Sequence, residues 1–364
     1  MTRVLIAGGG TGGHLMPALA IATRLRAQRP DIEPVLVGAI RGIEAQVLPT
    51  RPFRHCLLPI EPLYRRQWWK NLRWPLIAGR LYRELGRLFD QEQPVAVLGT
   101  GGYASAPSVW FAARQGIPTA IQEQNAFPGL ASRLLAGRVH HIYLGMPEGR
   151  SRLSPGAITE VFDTGNPVTP PDPARRAAAL ARLGLSGGER VLLVTGGSQG
   201  ALAINRAVAE WLDRGGGSGL AVLWATGRGS HAEFARFHRP PAVQVFDFLD
   251  PIQDAYAVAS LVVGRAGMMT GAELCAWGLP MIMVPLPTSA GDHQRHNAAA
   301  LAAAGAAVII EQGGGDLSAR LAGAVSELLG DSARLTRMAQ AARIRGRPAA
   351  VDEIVTQFLT LLRG

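Results

Sequence analysis

The sequence predicts an α/β protein built as two Rossmann-like domains facing across a cleft, each a mainly parallel sheet with helices on both faces. Three observations predict it. Short apolar runs alternate with longer amphipathic runs along most of the chain, the pattern of an open parallel sheet with helices packed on it. The pattern then restarts: VLIAGGGTGGH at 4–14 has a counterpart, VLLVTGGSQGA, at 191–201. Each reads as strand, glycine-rich loop, helix. The length of 364 residues, 48% hydrophobic, is enough for two cores at roughly 150 residues per domain.

In the first half, strands are expected at 4–7, 35–37, 95–98, 119–122 and 141–144, with helices between them that include 15–28 and 106–115. In the second, a strand at 191–195, a glycine turn at 196–200 and a helix at 201–212 open the series. Strands at 220–224, 243–246, 261–263, 281–284 and 307–310 continue it. The stretch TGNPVTPPDP at 164–173 is rich in Pro and turn residues and marks a boundary. An N-terminal domain over 1–163 and a C-terminal domain over 164–364 follow. The last segment, 333–362, reads as one or two helices broken around 346–348 that can pack back on either domain.

A formal charge of +10 and a pI near 10.8 favour an anionic partner, whether nucleic acid, nucleotide or acidic membrane surface. Charge does not choose among them, and because Lys70 is the only lysine, part of the excess reflects a preference for Arg. Cys56 and Cys275 stand far apart with no C-x-x-C, so neither a disulfide framework nor a cysteine metal site is expected. The first apolar run, 4–7, is too short for a secretory signal, and no stretch approaches the ~18–20 apolar residues of a membrane span. A cytoplasmic protein, able to sit on a membrane face, is the expectation.

The glycine loops carry the chemistry. At 8–14, GGGTGGH follows an apolar strand and opens a helix with Pro17 in its first turns. Glycines let the backbone turn tightly and approach a phosphate, and the helix N-terminus offers free N–H groups to an anion. GGSQG at 196–200 has the same setting and adds the Ser198 hydroxyl, and GTGGY at 99–103 follows a third strand. A single such loop is often only a tight turn; three point to phosphate handling. NAD binding fits poorly, because VLVGA at 35–39 ends without the acidic residue that takes a ribose hydroxyl. No Gly-Lys-Ser/Thr follows any loop, which argues against P-loop chemistry.

His14, at a helix N-terminus beside the first loop, is a candidate general base, the plain alternative being a helix-capping or backbone-bonded histidine. Glu273, about one turn into the helix opened by GRAGMMTGAEL at 264–274, can bind the vicinal hydroxyls of a ribose or merely complement a helix dipole. His293 and His296 lack the further ligands a metal site needs, and no D-x-D pair occurs to hold a pyrophosphate through a metal. No metal and no cofactor are expected.

Seven motifs in order, GGGTGGH, GGYASAP, QEQN, GNPV, GGSQGA, RAG with Glu273, and DHQ ahead of Asn297, resemble the MurG family of glycosyltransferases over roughly 4–305. The resemblance implies a two-domain GT-B fold. It implies inverting, metal-independent transfer of N-acetylglucosamine (GlcNAc) from UDP-GlcNAc to the C4 hydroxyl of N-acetylmuramic acid (MurNAc) in lipid I, giving lipid II for peptidoglycan. The N-terminal domain would bind acceptor and the C-terminal domain most of the donor. Carried over residue by residue, Thr11, Gly12, Gly13 and His14 face the acceptor near the donor pyrophosphate, with His14 the candidate base. Asn125 contacts GlcNAc, Ser198 donates to the pyrophosphate, and the backbone of Leu249 reads uracil. Met268, Met269, Thr270, Gly271, Ala272 and Glu273 surround the nucleotide, with Glu273 on the ribose, and Gln294 meets the sugar hydroxyls. Three departures stand out: Thr169 where GNPV is usually followed by Arg, Met268 and Met269 where small residues are usual, and Ala106 for a glycine in the third loop. A related glycosyltransferase with another acceptor, a sugar-nucleotide epimerase, or a non-catalytic scaffold on a membrane surface are the competing readings.

The segment LYRRQWWKNLRWPLIAGRLYRELGRLF at 63–89 sets Trp68, Trp69 and Trp74 among Arg65, Arg66 and Lys70. Tryptophan and basic residues suit an anionic bilayer interface, and Pro75 with the charges makes the segment too polar to span. An ordinary amphipathic helix is the alternative, and no recognition fold supports nucleic acid. The partners expected are therefore UDP-GlcNAc, lipid I, an anionic membrane surface at the cytoplasmic face of the inner membrane, and other cell-wall synthesis enzymes.

Overall fold

Strand β1 (Thr2–Ala7) shows why the sheets form as they do: Val4, Leu5, Ile6 and Ala7 are all fully buried, on both faces of the strand. Only a parallel sheet covered by helices on both sides hides such a run. The computed structural model describes residues 1–61, 68–197 and 199–362, with only the backbone at Trp68, Lys70 and Asn71. The chain divides into two units, Met1–Val168 with Ala349–Gly364, and Thr169–Pro348.

In unit 1, β1 is followed by β2 (Ile32–Ala39), β3 (His55–Leu58), β4 (Ala96–Gly99), β5 (Thr119–Glu123), β6 (His141–Leu144) and β7 (Glu160–Phe162). They form a seven-stranded sheet in the order β3-β2-β1-β4-β5-β6-β7, every pair parallel. In unit 2, β8 (Arg190–Thr195), β9 (Leu220–Ala225), β10 (Val243–Phe246), β11 (Leu261–Gly264), β12 (Met281–Met283) and β13 (Ala307–Ile309) form a six-stranded parallel sheet ordered β10-β9-β8-β11-β12-β13. In each sheet the strand order reverses beside the first strand, between β1 and β4 and between β8 and β11. Loops at the carboxyl ends of those two strands diverge and leave a crevice, the usual ligand position in open α/β sheets.

The line between the units falls after Val168 rather than after 163. The reason lies in 164–168: Thr164 and Asn166 are buried, and Gly165 N donates to Leu144 O at 2.9 Å. The terminal segment breaks into helices Ser332–Arg345 and Ala350–Thr360. The second of these belongs to unit 1, where Ile354, Val355 and Phe358 join the core under helix Gly12–Gln28. Asp352 pairs there with Arg24 and accepts from Gln28. Cys56 and Cys275 are free thiols. Among the described residues, no helix is long and apolar enough to cross a membrane.

Candidate functional site

Unit 1 assembles its site where β1 and β4 part. Ala7 pairs with Gly99 at the ends of the two strands, and the loops 8–11 and 100–105 continue from there. They pack backbone against backbone. Gly102 has φ +77, and a Cβ on it would lie 1.9 Å from Gly9 O, so no other residue fits. The first loop is braced from below by Glu44, a fully buried carboxylate that accepts from Gly10 N at 2.8 Å and Ala39 N at 3.2 Å. That brace uses one N–H that a phosphate would otherwise take.

Helix Gly12–Gln28 starts after Thr11, which is extended and exposed and makes no side-chain capping bond. A Cβ on Gly12 would meet nothing within 4 Å, so the helix mouth is open. His14 is half-buried one turn in, its main-chain oxygen held by Thr100 Oγ1 at 2.8 Å and its Nδ1 3.1 Å from Gln124 Oε1. Among the described residues, Nε2 has no partner. Asn125 follows at the end of β5, where its N and Nδ2 both donate to Glu123 Oε1 at 3.0 Å. The other oxygen of this buried carboxylate accepts from Gly129 N and Ser132 Oγ, tying the loop beyond Asn125 to the sheet. Thr11, Gly12, Gly13, His14 and Asn125 thus share the carboxyl edge of the first sheet.

Unit 2 repeats the arrangement with different chemistry. Thr195 pairs with Gly264 where β8 and β11 end. In the loop after β8, Gly200 has φ +75, and a Cβ on it would lie 2.1 Å from Thr226 O. Ser198 lies outside the described residues. After β11, helix Met268–Trp277 is preceded by Gly267, which has no side chain to cap it. Its first intrahelical bond runs from Gly271 N to Gly267 O at 2.9 Å, so the N–H groups of Met268, Met269 and Thr270 are left to an outside acceptor. The Met268 side chain turns inward: it is buried, its methyl 3.3 Å from the point where a Gly271 Cβ would stand. Ala272 is half-buried beside it.

Glu273 stands on the second turn of that helix, half-buried, with Oε2 accepting from the buried Tyr256 hydroxyl at 2.9 Å. Burial raises its carboxyl above the ordinary range, and the tyrosine bond works against that rise. Gln294 is the second residue of helix His293–Ala303, and its Oε1 accepts from Leu286 N at 2.9 Å. Leu249, largely buried, lies in the segment after β10 at the same edge of the sheet. Thr169 is exposed.

Glu44 and Tyr256 lie outside the motifs, and Gln122, Gln124, Asn166 and Arg265 lie within QEQN, GNPV and RAG without being given a role there. Arg265 is half-buried, donates to Val284 O at 3.1 Å and Pro285 O at 3.3 Å, and has no carboxylate partner among the described residues. The membrane residues divide. Arg65 and Arg66 lie outside the described residues, as do the side chains of Trp68 and Lys70. Trp69 is 54% exposed and Trp74 half-buried at the start of helix Trp74–Glu92.

Comparison with known proteins identifies the family. The glycosyltransferase family 28 N-terminal domain matches residues 4–144, and the glycosyltransferase family 28 C-terminal domain matches residues 191–354. The UDP-N-acetylglucosamine–N-acetylmuramyl-(pentapeptide) pyrophosphoryl-undecaprenol N-acetylglucosamine transferase of Moorella thermoacetica is 39% identical, covering 98% of each chain. The enzyme of the same name from Salinibacter ruber is 38% identical over 99% of this chain and 96% of its own. The crystal structure of Acinetobacter baumannii MurG superposes with a TM-score of 0.77 at 26% identity, over 99% of this chain and 100% of that one. A Staphylococcus aureus MnaA–UDP structure, at 15% identity and a TM-score of 0.70 over 100% of this chain and 98% of its own, shares the fold. With family 28 domains over most of its length and near full-length relatives of one name, the chain belongs to the MurG family of GT-B glycosyltransferases.

Proposed function

We propose that this chain transfers GlcNAc from UDP-GlcNAc to the C4 hydroxyl of MurNAc in undecaprenyl-pyrophosphoryl-MurNAc-peptide, with inversion at the anomeric carbon. The observation that carries this reading is the uncapped N-terminus of helix Met268–Trp277 with Glu273 on its second turn, an anion site beside a diol acceptor. UDP has that chemistry: diphosphate on the N–H groups of 268–270, ribose hydroxyls on Glu273. The backbone of Leu249 reads uracil, and the Gln294 amide meets the sugar. The pyrophosphate is held by backbone dipoles, so the reaction needs no metal.

In unit 1, His14 Nε2 takes the proton of the acceptor hydroxyl as that oxygen bonds to the anomeric carbon. The bond from that carbon to the diphosphate oxygen breaks, and the charge leaves with UDP onto the helix N-terminus. Thr11, Gly12 and Gly13 leave room for the acceptor, and Asn125 contacts the GlcNAc. The acceptor is a lipid, so the enzyme works as a peripheral protein at the cytoplasmic membrane face, beside the enzymes that make and use its substrates. The test is to incubate purified protein with UDP-GlcNAc and a lipid I analogue, with EDTA throughout, and look for the disaccharide product and UDP. Release of UDP without acceptor indicates an epimerase-like activity instead, and loss in EDTA restored by magnesium overturns the metal-independent mechanism.

A further inference from the structure

We infer that Gln124 is the positioning residue of His14: a buried run of amides from Asn166 through Gln122 to Gln124 fixes the imidazole tautomer with the proton on Nδ1 and the lone pair on Nε2. This rests on the reading of His14 as the base and supplies what that reading lacks, a reason for the correct nitrogen to be free.

Two main-chain oxygens set the direction of the run, because a carbonyl oxygen only accepts. Gln124 O takes Asn166 Nδ2 at 3.1 Å. Asn166 Oδ1 therefore faces Gln122, 3.0 Å from its Nε2. Gln122 Oε1 is then left toward Gln124, whose Nε2 stands 2.5 Å away and also 2.5 Å from Thr100 O. With its amide hydrogens committed to these two acceptors, Gln124 presents Oε1 to His14 Nδ1 at 3.1 Å. An acceptor there requires N–H on Nδ1, and a neutral ring then has its lone pair on Nε2. Turning any one amide over would set oxygen against oxygen inside the sheet.

Burial makes the arrangement durable. Thr100, Gln122, Gln124 and Asn166 are each at most 3% exposed, so water does not replace a partner. Gly101 allows the approach, since a Cβ on it would lie 2.6 Å from His14 Nδ1. The motifs QEQN and GNPV are thus joined to GGGTGGH through side chains, a role separate from substrate contact. Orienting a base through its other ring nitrogen is the function of the third member of a catalytic triad. A neutral amide does so here without adding charge.

The test pairs nitrogen NMR with kinetics. In the wild type the neutral His14 ring, assigned by its loss in His14→Ala, is expected to carry its proton on Nδ1. Gln124→Met keeps the bulk and removes the acceptor; the proton should then redistribute to Nε2, with kcat falling about 10²-fold and the UDP-GlcNAc KM unchanged. A wild-type ring protonated on Nε2 overturns the proposal, and that spectrum needs no variant to fold. An unchanged tautomer in Gln124→Met overturns it equally. Full kcat in His14→Ala instead sinks the base reading and leaves the tautomer result standing.

Discussion

The Tyr256 hydroxyl donates to Glu273 Oε2 at 2.9 Å, so the carboxylate proposed to hold the ribose is itself held by a buried phenol. Burial raises the Glu273 pKa above its ordinary value and the tyrosine bond restrains the rise. A raised carboxyl pKa means that the anionic form, the one that accepts ribose hydroxyls, is lost at a higher pH than usual as pH falls. The donor KM should therefore climb on acidification through that raised pKa. Tyr256→Phe removes the restraint, so this limb moves to higher pH while kcat at saturating donor holds. Glu273→Ala should raise donor KM about tenfold or more at neutral pH, since hydrogen bonds made in both ground and transition states act as uniform binding. The pH dependence of kcat/KM for UDP-GlcNAc measures both; identical acid limbs in wild type and Tyr256→Phe would uncouple the pair.

His14→Ala should show the opposite balance. A positioned base contributes about 10²–10⁴-fold to turnover, and His14 bonds nothing through Nε2 among the described residues. Steady-state kinetics should give a kcat loss in that range with donor KM within about twofold of wild type. A raised donor KM at full kcat would make His14 a binding residue.

Gly102→Ala should unfold early. The left-handed φ of +77 costs an L-residue roughly 1–2 kcal/mol. The new methyl would also stand 1.9 Å from Gly9 O, main chain that cannot move without dragging the loop of His14 with it. A shift of about 2–4 °C in Tm per kcal/mol follows for chains of this order, so scanning calorimetry should find a drop of several degrees. Gly12→Ala, with open space around it, should leave Tm unchanged and serves as the control.

These cases show which parts of the molecule are legible in sequence. β1 and β8 are solid apolar runs ending in glycines, and buried parallel strands leave that trace. β3 and β7 leave none, because an edge strand needs little burial: His55 and Glu160 are exposed, and the residues beside them only half-buried. The motif residues His14, Asn125 and Glu273 were visible because each adjoins a glycine loop or a polar cluster. Their supports were not. Gln124 lies 110 residues from His14 and Asn166 lies 44 from Gln122, separations that only strand order closes. The available signal is Gln122 and Gln124, amides two apart at the carboxyl end of a strand that is buried along its whole length.

Thr169→Arg tests the main departure from the family pattern. Thr169 is exposed, so an arginine fits without disturbing a core. A charge-assisted bond to the donor contributes about 1.5–3 kcal/mol where it forms, and a roughly tenfold lower UDP-GlcNAc KM is expected. Titration of UDP by calorimetry checks it directly. Unchanged or weaker binding would mean that this donor site is built around another contact, for which half-buried Arg265 is the first residue to examine.

The last prediction concerns the membrane. Helix Trp74–Glu92 buries Leu81, Leu85, Leu88 and Phe89 in the unit 1 core, so its second half is an ordinary packed helix. Its first turn and the short 3-10 helix before it, Trp68–Arg73, are different. Trp69, Leu72 and Leu76 are 54%, 72% and 81% exposed and follow one another by three and four residues. Exposed Arg73, Arg80 and Arg83 flank them. Apolar side chains in water with basic neighbours suit a bilayer surface, where each cation contributes about 1 kcal/mol near anionic headgroups. Arg73 is partly engaged, 3.6 Å from Glu61, which also pairs with Arg41 at 2.8 Å. Co-sedimentation should show binding to vesicles containing phosphatidylglycerol and little to neutral ones, weakening as salt shortens the Debye length to about 10 Å at 0.1 M. Trp69→Ser with Leu76→Ser should abolish that binding. Both positions are solvated, so Tm should hold, and so should activity on a short-chain soluble acceptor, while activity on acceptor embedded in vesicles falls. Equal vesicle binding by wild type and variant would move the docking surface to another face of the protein.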